Sequence, residues 1–112
     1  MACGSGKKGS SKGAFNSTTA VVLVDSPPAG KVRIIDLGDL QIYNRDTASV
    51  TATLSVNGLT WDAPTISTVV NWVNDAKLTL RSDETLKGVL GGAVATNQPN
   101  YFCSFEDYDA PK

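Results

Sequence analysis

The sequence predicts an all-β domain, an antiparallel β-sandwich of about seven or eight strands for which a jelly-roll arrangement is one option. Three observations support this prediction: β-branched and apolar runs, apolar residues that alternate with polar ones, and turn residues that recur about every 8–12 positions. No stretch keeps the period of a helix for more than about one turn. With 112 residues, the chain has the length of a single domain.

The alternation is clearest in the middle of the chain. Positions 51, 53, 55 and 57 are polar, and Asn57-Gly58 then forms a dipeptide typical of a tight turn. One face of this strand should therefore be buried and the other exposed. The residues expected to face the core are Val50, Ala52, Leu54 and Val56.

Turn residues separate the other predicted strands. Gly38 lies between two aspartates and indicates a bend or bulge within one of these strands. Residues 59–64 are expected to form a loop that carries Trp61. The remaining strands are predicted at residues 18–24, 31–43, 65–73, 77–81, 86–95 and 101–108.

The first 16 residues have a different composition, rich in glycine, serine and lysine. Such a segment has too few apolar groups to offset the entropy of ordering, so residues 1–16 are predicted to form a flexible arm before a sandwich at 17–108. Residues 109–112 form a short acidic-leaning tail. The lysines of the arm either meet an acidic partner or stay in solvent. Phe15 is the one large apolar residue of the arm and a candidate anchor.

Charge and composition argue against several classes of function. A net charge of −1 does not suit a nucleic-acid binder, and no run approaches the ~20 apolar residues of a membrane helix. The start lacks the apolar segment of a secretory signal, so we expect a chain made in the cytosol. Both Cys3 and Cys103 should then stay reduced, with Cys103 as a small core residue.

Catalysis has little support in the sequence. The chain has no histidine, the usual base for a serine or cysteine nucleophile, and no set of residues at metal-ligand spacing. The carboxylate pairs Asp36/Asp39 and Asp83/Glu84 flank turns, where solvated loop charge is the simpler interpretation. We therefore expect neither an enzyme nor a cofactor or metal site.

Binding residues are predicted in two places, the arm and the loop around position 61. A loop tryptophan either covers the open end of a sandwich or anchors an interface. The other aromatic residues, among them Trp72 and Phe102, lie in predicted strands and are expected in the core. The candidate partner-binding residues are Lys7, Lys8, Lys12, Phe15 and Trp61.

A particular order of strands and turns follows the arm. Ser26-Pro27-Pro28-Ala29-Gly30-Lys31 leads to a strand that closes on Tyr43-Asn44-Arg45-Asp46, and the alternating strand follows. Leu78-Thr79-Leu80, Asp83-Glu84-Thr85-Leu86 and a final aromatic strand come later. Over residues 18–108 this order resembles small β-sandwich virion proteins of tailed bacteriophages. That group has no catalytic motif, so the resemblance assigns no functional residue.

The resemblance implies a structural protein of a virion, above all a capsid decoration or cement protein that stabilises the assembled shell. Its partners would be the major capsid protein or other virion proteins, with further copies of the chain in the assembly, and it would bind neither nucleic acid nor membrane. A position in the neck, tail or fibre is an alternative. A second alternative is a carbohydrate-binding module that uses Trp61 with Tyr43 or Tyr101.

The alternating strand gives a prediction about stability. Leu54→Ala should lower the free energy of unfolding by about 2–5 kcal/mol, because it removes a core side chain. Thr53→Ala should lower it by less than about 1 kcal/mol, because this side chain faces away from the core. Urea unfolding of both variants measures the difference, and reversed magnitudes would show a strand register shifted by one residue.

Overall fold

Two antiparallel sheets pack face to face in the computed structural model, which describes residues 6–16, 19–92 and 94–110. This arrangement confirms the all-β sandwich, but the described residues form eleven strands and not seven or eight. In chain order the strands are β1 (Lys7–Ala14), β2 (Val21–Val24), β3 (Lys31–Ile35), β4 (Leu40–Asn44), β5 (Val50–Val56), β6 (Leu59–Asp62), β7 (Thr65–Ile66), β8 (Val70–Val73), β9 (Leu78–Leu80), β10 (Leu86–Leu90) and β11 (Asn100–Asp109).

Sheet A is built around β11, its longest strand. One edge of β11 pairs with β4 and then with β3, and the opposite edge pairs with β1. Outside these, β8 pairs with β4 and β9 pairs with β3. The predicted strand at 31–43 is thus split into β3 and β4 at the expected bend, where Gly38 takes a left-handed φ of 79°.

Sheet B has the order β2-β10-β5-β6, and the short strand β7 also pairs with β5. Asn57 and Gly58 both have positive φ, at 49° and 85°, as a two-residue hairpin turn requires. Such a turn sends the chain back along the strand it has just left. Residues 59–62 therefore form β6, and the predicted loop at 59–64 was wrong for this part.

A turn also breaks the strand predicted at 65–73. The Val70 N–H donates to the carbonyl of Ser67 (3.2 Å), and Val69 between them has a positive φ of 58°. The chain leaves sheet B after β7 and enters sheet A as β8. The turn carries the chain from one layer to the other, so the apolar run is divided between them.

The core lies between the two sheets. Ala52 and Leu54 are fully buried, while Val50 and Val56 pack partly against the core, which confirms the predicted face of β5. Cys103 is also buried, as the sequence predicted. The buried apolar residues are Phe15, Leu23, Val24, Ile35, Leu40, Ile42, Ala52, Leu54, Ile66, Leu80, Leu86, Leu90, Tyr101 and Cys103.

Buried polar side chains hold the loops at one end of the sandwich. The carboxylate of Asp46 accepts backbone N–H bonds from Thr47, Ala95, Thr96 and Asn97 at 2.8–3.1 Å. These bonds, above all the one from Ala95, favour the charged form and lower the pKa of Asp46 from 3.8 to about 2. One carboxylate thereby joins the loop before β5 to the loop before β11.

The side chain of Asn44 joins the neighbouring segments by hydrogen bonds in the same way. Its side-chain amide donates to the carbonyls of Ala48 (3.0 Å) and Ile66 (2.9 Å), and its oxygen accepts the N–H of Asp46 (2.9 Å). Among the described residues no buried side-chain nitrogen or oxygen lacks a hydrogen-bond partner.

None of the ranges 6–16, 19–92 and 94–110 contains a helix that could cross a membrane.

Asp46 makes the stability of the fold depend on pH. Its pKa is lowered on folding, so its contribution is complete above about pH 4 and is lost as the pH falls through about 2. Asp46→Asn should lower the melting temperature at pH 7, and the gap to the unchanged protein should close between about pH 4 and 2. Asp75→Asn, at an exposed position, is the control. A gap that stays constant down to pH 2 would contradict this account.

Candidate protein-binding surface

Strand β1 occupies most of the segment predicted to be a flexible arm. It runs antiparallel to β11, from Lys7 opposite Asp107 to Ala14 opposite Asn100. Phe15 continues the ladder, since its N–H donates to the carbonyl of Pro99 (2.9 Å). The structure thus has a sheet strand where the sequence predicted an irregular segment, and residues 1–5 lie outside the described residues.

Small residues on the inner face of β1 explain how such a composition forms a strand. Gly9 is paired with Phe105 and Gly13 with Tyr101, and a Cβ on either glycine would come within 2.6 or 2.8 Å of the facing side chain. The aromatic rings therefore lie over β1 itself. Large rings on the neighbouring strand supply the apolar contact that the glycines lack.

Phe15 and Ser11 connect β1 to the rest of the sandwich. Phe15 is fully buried and packs edge-on against Tyr101, with ring centroids 5.6 Å apart. The Ser11 hydroxyl donates to the carbonyl of Leu23 in β2 (2.5 Å), and the Tyr101 hydroxyl donates to the carbonyl of Val22 (3.2 Å). These contacts join the two sheets along one side of the sandwich.

The structure does not bring the five predicted binding residues together on one surface. Phe15 is in the core, so its side chain is not exposed to a partner. Trp61 is in β6 of sheet B, half-buried against the core, and not in a loop. Both differ from the prediction because strand pairing fixes the direction of their side chains. Phe15 extends the β1–β11 ladder, and Trp61 is in β6, which pairs with β5. Only Lys7, Lys8 and Lys12 are exposed.

A different set of exposed residues lies on the outer face of sheet A. One row across the strands is Lys12, Phe102, Gln41 and Val73, given by the pairing of β1, β11, β4 and β8. The next row is Ala14, Asn100, Tyr43 and Asn71. We call these eight residues the outer patch.

All members of the outer patch are exposed, including three large apolar side chains. Phe102 is 46% exposed, Val73 45% and Tyr43 38%. Gln41 and Asn71 contact each other through their side-chain amides (3.3 Å). Lys12, at the β1 margin, is the single charged member.

The sequence predicts that Phe102 lies in the core, together with the other aromatic residues of the strands. Tyr101 and Phe102 are consecutive in one strand, so their side chains must point to opposite faces. Because Tyr101 is buried, Phe102 is exposed. The alternation along β11 was the signal that could have found it.

The rings named for a carbohydrate platform do not share a surface. Tyr101 is buried and Trp61 packs against the core from sheet B, whereas Tyr43 faces outward from sheet A. Phe102 is the aromatic residue beside Tyr43 on that outer face, diagonally across the β4–β11 pair.

The described residues include few groups that could act as a nucleophile, a free cation or a metal ligand. Burial, with a smaller effect of Asp39, raises the pKa of the Cys103 thiol from 9.0 to about 12, so it is not a nucleophile at neutral pH. The Arg33 guanidinium is held by Asp107 through two bonds (2.8 and 2.9 Å) and lies over the Phe105 ring. No group of three or more cysteine, aspartate or glutamate residues within 6–16, 19–92 and 94–110 could hold a metal ion.

A groove of about 830 Å³ lies beside the start of β3, open to solvent and lined by residues that include Lys31, Val32 and Arg81. Its Lys31 is paired with Asp109 (2.5 Å). It is not enclosed as a typical small-molecule site is.

Comparisons with known proteins give no assignment. No protein-family model matches the chain, and no curated protein does. One solved structure with a related outline comes from Bacillus endospore appendages, described as a novel family of disulfide-linked pili. It is 18% identical, covers 99% of this chain and 96% of its own, and has a TM-score of 0.49. A likeness this distant carries no conclusion about function.

The packing of β1 is tested by adding one methyl group. Gly9→Ala should lower the free energy of unfolding by about 1–3 kcal/mol, because the Cβ displaces the Phe105 ring from between β1 and Arg33. Ser10→Ala, on the outer face of the same strand, should change it by less than about 0.5 kcal/mol. Equal, negligible effects in urea unfolding would show that residues 7–14 are not part of the folded sandwich.

Proposed function

We propose that this chain is a non-enzymatic structural protein that binds another protein through the outer patch of sheet A. The observation that carries the proposal is the patch itself: eight exposed residues in two adjacent rows, with three large apolar side chains and a single charge. Contiguous apolar surface of this kind marks contact sites in soluble proteins. Aromatic residues are enriched, and most charged residues depleted, at the centres of such sites.

The shape of the patch favours a protein over a small molecule. It lies on the face of four paired strands, which is a broad surface, whereas small ligands bind in concave pockets that enclose most of their area. The patch contains one lysine, and the whole chain has a net charge of −1. Neither has the basic character that nucleic-acid binding requires.

The distribution of charge defines the partner further. The centre of the patch, around Phe102 and Tyr43, is uncharged, and Lys12 lies at one margin. A fitting partner surface has an apolar centre and an acidic residue opposite Lys12. Lys8, the next lysine on the same face of β1, is directly opposite Glu106 and adds little net charge there.

The sequence resemblance supports a more specific proposal, in which the partner is a virion protein. A decoration protein must dock onto a surface that has already formed, and an exposed, preformed strand face is suited to that task because it needs no folding on binding. The major capsid protein is then the partner, and a neck, tail or fibre protein is the alternative.

A carbohydrate ligand is a second candidate, and one observation favours it. The exposed rings of Tyr43 and Phe102 are surrounded by the amide side chains of Gln41, Asn71 and Asn100. Amides donate and accept hydrogen bonds without charge, which suits a neutral ligand rich in hydroxyl groups.

The test compares variants inside and outside the patch. Phe102→Ala and Tyr43→Ala should each weaken binding to the partner about 30-fold, the effect of about 2 kcal/mol for an aromatic hot spot. Leu59→Ala is the control, because Leu59 is a large apolar residue that is even more exposed than Phe102 and Tyr43 but lies in sheet B. Melting curves of all three variants establish that the fold is intact.

Binding is measured in two assays. Sedimentation with bare virus particles tests the virion proposal, and a glycan array tests the carbohydrate candidate. A photo-crosslinking residue placed at position 102, with position 59 as control, captures the partner if neither probe binds. Binding to particles that Phe102→Ala leaves unchanged would exclude the outer patch, and binding to glycans alone would replace the protein partner with a sugar.

A further inference from the structure

Strand β8 leaves one edge of sheet A open. Its inner edge pairs with β4, and the Asn74 N–H continues that ladder to the carbonyl of Leu40 (3.1 Å). In an antiparallel ladder alternate residues direct their N–H and C=O groups to opposite edges. Asn71 and Val73 therefore direct theirs away from the sheet, where none of the described strands pairs with them.

The turn that leads into β8 is strained and apolar. Val69 has a φ of 58°, a region that a β-branched residue rarely adopts. Val69 is 69% exposed, and Val70 is 44% exposed. In the isolated chain the strained residue gains almost no burial. Backbone strain of this kind clusters at functional sites, and here the strained side chain is open to a partner.

Sheet A has three open edges among the described strands, at β1, β8 and β9, and they differ in charge. Strand β9 lies directly between Lys77 and Arg81. Strand β1 has Lys8 and Lys12 among the residues directed to its open edge, and lysines at an edge oppose pairing with a further strand. Residues 63–74, which include β7 and β8, contain no charged residue. The β8 edge thus lacks the protection that the β1 edge has.

We propose that two copies of this chain pair antiparallel along β8 to form a two-fold symmetric dimer. A two-fold axis places the same residues against each other, so a charged edge would repel itself and an uncharged edge does not. In this pairing Asn71 of one copy lies opposite Val73 of the second copy. The strained Val69 and the neighbouring Val70 are then covered at the two ends of the contact.

A second copy fits this edge better than an unrelated peptide does. The uncharged, valine-rich surface offers no group that would select a charged partner, whereas it is complementary to itself in hydrogen bonding and in apolar character. Asn71 and Val73 belong to the outer patch through their side chains, whereas the dimer uses their backbone N–H and C=O groups together with Val69 and Val70, which lie outside the patch.

The dimer is tested with purified full-length protein in reducing buffer, so that no disulfide between copies mimics the association. Sedimentation velocity should show a monomer–dimer equilibrium that shifts toward the dimer with concentration. Hydrogen exchange at the amides of Asn71 and Val73 should slow as the dimer forms. A monomer at all concentrations up to about 1 mM would overturn the proposal.

Substitutions then locate the contact. Val70→Lys introduces a charge at the edge, and Val69→Gly removes the exposed side chain while relieving the positive φ, so the second variant keeps its fold. Each should raise the dissociation constant at least about tenfold. Val22→Lys is the control, since Val22 is exposed in β2 and its carbonyl already accepts the Tyr101 hydroxyl. Phe102→Ala should leave the dimer unchanged. Loss of the dimer in Val22→Lys, or its persistence in both edge variants, would overturn the proposal.

Discussion

The pairing of β11 along both edges is the constraint on which sheet A depends. Each residue of this strand faces either the core or solvent, and the alternation assigns Tyr101, Cys103 and Phe105 to the inner face and Phe102 to the outer face. The inner aromatics hold β1 in place, and the outer one forms the centre of the candidate binding surface. The same strand therefore builds the fold and carries part of the candidate binding surface.

Much of the sandwich follows from local sequence patterns. The alternation from Val50 to Val56 predicted which face of β5 is buried, and Gly38 predicted the bend between β3 and β4. The Asn57-Gly58 turn was also identified, but its consequence was not: a two-residue hairpin turn implies a returning strand, which is β6.

Strand β1 could not be predicted from its own composition. Glycine and serine have low strand propensity, and the energy that orders them comes from rings on a strand about 90 residues later in the chain. A pattern was nevertheless present, since Gly9, Ser11, Gly13 and Phe15 share one face, and the polar residues Lys8, Ser10 and Lys12 alternate with them. The outer patch was missed for a related reason, because it is assembled from four strands whose order only the sheet topology reveals.

The two proposed contacts use neighbouring parts of sheet A, and the dimer would enlarge the binding surface. A two-fold axis perpendicular to a continuous sheet keeps the outer faces of both copies on the same side. The row that ends at Val73 would then continue into Asn71 and Tyr43 of the second copy. A single patch of eight residues is small beside the roughly 20–30 residues per side of a standard interface. Two patches on one rigid face would bind a repeating partner with the added strength of a bivalent contact. Weak docking by one copy and weak pairing between copies would thereby support each other on a repeating surface.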